Sequence, residues 1–197
     1  MTLSGLPAGT LLRGSVSAAD AGGASLGSAA APPSVVAAAA VAAESRLPTL
    51  HWFVSDPEAA RWDAPVPCEV FFDAQDGSGL RYYGNVTTHR TGSERKDPKA
   101  NLWGKDKSKN WPKRNFKLAF AGRVFRWRQG APPVAAIELH GMYQESGPVS
   151  YMRKALAVRF MDALGVPAVA ARHVRVRQNG QWFGLYLMVE QVDRGAC

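Results

Sequence analysis

The order of apolar and polar residues divides this chain near residue 46. Beyond it, short apolar runs alternate with turn-forming clusters, the spacing of a mainly antiparallel β structure. Residues 50–54 (LHWFV) predict a first strand, ended by Ser55-Asp56-Pro57. Residues 68–72, framed by Pro65 and Pro67, predict a second, with a turn over residues 76–79. Residues 80–90 predict a third, interrupted at Gly84. In residues 113–120 the alternation is strict: Phe116, Leu118 and Phe120 share one face, and Lys113, Asn115 and Lys117 share the other. Residues 124–127 extend the sheet and residues 134–140 add a strand.

One helix is expected, over residues 149–164. Val149, Met152, Leu156, Phe160 and Ala163 make its apolar stripe, Pro148 suits its first turn, and Gly165 with Pro167 ends it. Residues 171–192 then predict a hairpin, turned at Asn179-Gly180 in the type I′ geometry. Its second strand is apolar on both faces until it delivers Glu190, which places it inside the sheet rather than at an edge. Strands, one helix and a hairpin together predict an α+β fold: a twisted, mostly antiparallel sheet with the helix packed on one face.

Residues 1–46 are a different material. They are rich in Ala, Gly and Ser, lack aromatics and show no period, which predicts a disordered leader ahead of one folded domain at residues 47–197. The run at residues 35–43 (VVAAAAVAA) lies late for a secretory signal, and only Arg13 supplies a preceding positive charge. No apolar run is long enough to span a membrane as a helix.

Charge narrows the class of partner. The formal charge is +8, and between Arg90 and Arg128 thirteen Lys or Arg residues face only Glu94, Asp97 and Asp106. Such a balance suits a nucleotide, an anionic protein, a glycan or a nucleic acid. Trp103, Trp111 and Trp127 interleave the basic stretch, either to stack on bases or to anchor the loop to its own domain. Two cysteines, Cys68 and Cys197, are too few for a disulfide framework or a zinc site and are read as free thiols. No phosphate loop, dinucleotide fingerprint, metal cluster or nucleophile elbow is present in the sequence.

Three side chains stand out. Lys117 sits on the polar side of a strand whose other side is core, and it reaches phosphate oxygens if that side lines a cleft; otherwise it belongs to a solvated sheet face. Lys113 shares its orientation. Arg153, in the opening turns of the helix, opposes the helix dipole and calls for an acidic partner or a ligand phosphate, or else is a surface arginine. Glu190 is either a site carboxylate or a rim residue at a strand end.

Five segments in order resemble the N-terminal part of the spore-coat protein H (CotH) kinase family. They are LPTLHWFV at residues 47–54, HRTG at 89–92, WPKRNFKLAF at 111–120, YMRKALAVRFMDALGVPA at 151–168 and RHVRVRQNGQWFGLYLMVEQVD at 172–193. The resemblance implies an atypical kinase N-lobe that uses ATP, with Mg or Mn, to phosphorylate serine or threonine on secreted or coat proteins. It implies a place in the secretory pathway. By that likeness Lys117 or Lys113 holds the nucleotide phosphates, with Arg153 nearby. Residues 188–192 form the hinge against which adenine lies, so Met188, Glu190 and Gln191 contact the nucleotide. The base and metal aspartates of such kinases follow the hinge, and this sequence ends at Cys197, so catalysis is not expected from it alone. Two departures are visible: Glu145-Ser146-Gly147-Pro148 replaces the family's aspartate before the helix, and the helix has Asp162 near its end but no central glutamate. A basic binding module for an anionic protein, glycan or nucleic acid is the alternative reading, with nucleic acid the least favoured.

Overall fold

The computed structural model describes residues 11–19, 25–35, 46–91, 113–142 and 151–191. Within the leader, expected to be disordered, β1 (Leu11–Ala19) and β2 (Ser25–Val35) pair as a separate antiparallel two-stranded sheet. The main body comprises β3 (Thr49–Val54), β4 (Val66–Asp73), β5 (Leu80–Thr91), β6 (Asn115–Phe120), β7 (Ala136–His140), α1 (Arg153–Ala163), β8 (Ala171–Gln178) and β9 (Gln181–Glu190).

These strands do not form the open sheet that the sequence pattern predicts. They close into a barrel in the order β3-β4-β5-β6-β7-β9-β8, and a parallel pairing of β3 with β8 completes the ring. Closure leaves neither β3 nor β8 as an edge, and closure is the one arrangement that removes edges altogether. The turn residue Asn179 fastens the seam. Its side-chain Oδ1 accepts from the Val54 N–H at 2.9 Å and its Nδ2 donates to the Val54 carbonyl at 3.0 Å, across 125 positions of sequence. The expected interruption at Gly84 is a bulge: Cys68 pairs with Val86 while Val70 pairs with Tyr83.

Alternation decides what fills the barrel. Leu50 and Trp52 of β3, Phe72 of β4, Phe116 and Leu118 of β6, and Tyr186 and Met188 of β9 are all essentially inaccessible. Trp52 and Phe116 meet edge to face at 4.9 Å. Burying each such side chain contributes about 1.5–3 kcal/mol before the cost of ordering it. Residues 124–127 add no strand; Phe125 makes a single bridge to Val134 and plugs the core. Burial pushes the Cys68 thiol up to about 12, so this cysteine is an inert core residue.

The helix is also not the one expected. It begins at Arg153, and Leu156 and Phe160 of the anticipated core stripe are 53% and 72% exposed. Ala155 is its buried residue, packed with Leu187 and Val189 on the outside of the barrel. A small side chain lets the helix lie close to a wall already filled by β9, which leaves the larger residues turned away. Val149 lies outside the described residues. No described helix is long and apolar enough to cross a membrane.

Candidate functional site

The alternation that buries Phe116 and Leu118 turns Lys117 to the outside of β6. Its cross-strand neighbours are His89 on β5 and Glu138 on β7, so three titratable residues form one row over adjacent strands. Glu138 Oε2 lies 2.9 Å from His140 Nε2, two residues on along the same face. Helix α1 brings Lys154 Nζ to 3.3 Å from that ring nitrogen. The hydrogen bond from His140 holds the Glu138 carboxyl below its ordinary range, helped by Lys154 and Lys117. Burial lowers Lys154, and burial followed by Lys117 lowers His89. Two lysines thus stand around one carboxylate that is itself paired to His140, and the patch keeps positive charge however its histidines titrate.

Lys113 does not join this patch. Its amine donates to the Leu185 carbonyl and lies between the rings of Tyr151 and Tyr186, at 4.9 Å and 4.7 Å. That is a cation–π cage, and burial lowers the lysine's pKa there. His173 Nε2–H donates to the Tyr151 carbonyl at 2.8 Å, which holds Tyr151 over the cage. The adjoining Gly141 is required by space, because a Cβ there would stand 2.6 Å from the Lys113 carbonyl oxygen.

Arg153 opens α1 in an exposed position. Of the segment expected to cradle adenine, Met188 to Glu190 close strand β9 and Gln191 follows it. Met188 is buried in the core and pairs with Leu139 on one side and Arg172 on the other. The Glu190 N–H donates to the Ala170 carbonyl, and the Gln191 N–H to the Ala136 carbonyl. These two N–H groups are therefore engaged within the protein. Gln191 keeps a buried side-chain oxygen without a hydrogen-bond partner. Residue 192 lies outside the described residues. Glu190 shares the parity of Met188 and lines a groove at the end of the barrel, a groove that includes neither lysine. The structure therefore separates Lys117, Lys113 and Glu190 into three places.

Sequence reasoning missed Glu138, His140, His89 and Lys154. The signal was present in β7, where Glu138 and His140 alternate with buried Ile137 and Leu139. Which strand stands beside β6 was not readable. Arg90, at the HRTG strand end, is buried and ion-paired to Asp63 at 2.6 Å, so it anchors the neighbouring turn. Among the described residues, no group of three or more His, Cys, Asp or Glu is placed to hold a metal.

A closed β-barrel with one flanking helix and an outward row of lysine, glutamate and histidine is the class of domain so defined. A family model described as CotH kinase protein matches residues 80–196 of the 197-residue chain. The match takes in β5 through β9 with α1, and the chain belongs to that family. No curated protein matches it.

Proposed function

We propose that this chain carries the ATP-binding part of a CotH-type protein kinase and that Lys117 holds the nucleotide phosphates on the outer face of β6. The observation that carries this reading is the row His89–Lys117–Glu138 with Lys154 beside it: an outward patch that retains positive charge after its one acid is counted. Glu138 stands directly across from Lys117 on the neighbouring strand rather than on the helix, with its carboxylate paired to His140. ATP would supply the phosphoryl group, and the acceptor is a serine or threonine hydroxyl of a secreted or coat protein. Mg or Mn would accompany the nucleotide; the described residues offer it no cluster of ligands, and no transfer step is assigned to them.

The test is ATP-induced stabilisation of the full chain. With ATP present the melting temperature rises, and Lys117→Ala weakens nucleotide affinity by about ten- to a hundredfold, the worth of one charge-assisted contact. Arg123→Ala, on an exposed turn, leaves the shift intact. An ATP shift unchanged in Lys117→Ala would remove this lysine from the site.

A further inference from the structure

The groove at the far end of β9 carries a second, separate proposal. It has a volume of about 410 Å³, within the range of ligand clefts. Three arginines converge on it from three parts of the fold: Arg128 from the connection after β6, Arg159 from α1 and Arg172 from β8. None of the three has a carboxylate partner among the described residues. Between them the floor is apolar, made by Val158, Val169 and Ala171. Trp127 adds a wall, and its indole N–H is buried without an acceptor.

Three guanidinium groups, none of them ion-paired among the described residues, outnumber the acids of the groove and favour an anion, and their planar forks match carboxylates in particular. Two acids, Asp162 and Glu190, stand in the same groove. They repel a polyphosphate, whose charge is dense and continuous. A peptide, in contrast, offers spaced side-chain carboxylates to the arginines, backbone N–H groups to Asp162 and Glu190, and small apolar side chains to the floor. We propose that this groove docks an acidic, carboxylate-bearing segment of a partner protein, independently of the nucleotide patch around Lys117.

The experiment titrates a labelled octapeptide of alternating Glu and Ala into the full chain near physiological salt, about 0.15 M. Saturable binding is expected, with Arg159→Glu and Arg172→Glu each weakening it about tenfold. Arg123→Glu makes the same charge change away from the groove and leaves affinity within about twofold. Ala168→Trp fills the groove at an exposed alanine without altering charge and abolishes binding. Thermal melts of each variant report that the fold is retained. Equal loss in Arg123→Glu would reduce the effect to general attraction by a basic protein, and survival of binding in Ala168→Trp would place the peptide elsewhere. Tighter binding of tripolyphosphate or an oligonucleotide, lost in Arg172→Glu, would overturn the peptide assignment in favour of a phosphate site.

Discussion

His51 shows how a single position on the barrel wall ties stability to pH. It lies on β3 opposite Arg177 of β8, and burial, then Arg177, lower its pKa from 6.5 to about 4, against a smaller opposing effect of Asp73. The unfolded chain therefore binds this proton more readily than the folded one. Stability from a neutral His51 is fully present above pH 6.5 and is lost as pH falls through 6.5 toward 4. With each pKa unit worth about 1.4 kcal/mol, the loss is on the order of 3 kcal/mol. Urea unfolding of His51→Gln across that window is expected to show a flatter profile; the same slope in variant and wild type would exclude His51 as its source. The histidine was visible in LHWFV, but not its environment: β8 is far away in sequence, and the arginines that bear on His51 arrive only through barrel closure.

At the scale of the element, α1 separates what periodicity says from what packing needs. A stripe at i and i+4 was legible, and the helix itself was found. Its orientation was not, because the surface it meets is the outside of an already apolar strand, where Leu187 and Val189 stand. Ala155 is the residue that fits. Replacing exposed Phe160 by Ser is expected to change unfolding free energy by no more than about 0.5 kcal/mol. Ala155→Leu, which overfills the contact, is expected to cost about 1–3 kcal/mol. Chemical denaturation of both variants checks the pair, and a large loss from Phe160→Ser would mean that the stripe is buried after all. The closing hairpin is the opposite case. Asn179 and Gly180 take the positive φ values that their turn demands, +48° and +84°, so local sequence was sufficient.

For the molecule as a whole, the decisive contact is the seam between β3 and β8. The Arg175 N–H donates to the Pro48 carbonyl and the Asn179 N–H to the Trp52 carbonyl, both at 2.9 Å. If the barrel unfolds as one unit, these two amides exchange hydrogen only through global opening, at rates matching those of central β6. Asn179→Gly keeps the turn conformation and removes both side-chain bonds to Val54. It is expected to lower stability by about 1–2 kcal/mol and to speed exchange at the seam selectively. Seam amides that exchange far faster than β6 in the unmodified protein would show that β3 is a loosely added strand rather than a stave. The family match begins at Leu80, so β3 and β4 lie outside it while supplying closure and part of the core.

The amino-acid order by itself determined the seven strands of the barrel, their inward and outward faces, the turn at Asn179-Gly180 and the family, because alternation and turn chemistry act over a few residues. It brought Lys117 to an outer face for the same reason. Tertiary structure alone decided that the sheet closes, that the helix turns its large apolar residues outward, and that Glu138 and His89 flank Lys117 while Lys113 is caged elsewhere. Each of these depends on which element lies beside which, and contacts between residues from about twenty to more than a hundred positions apart leave no periodic trace in a single chain.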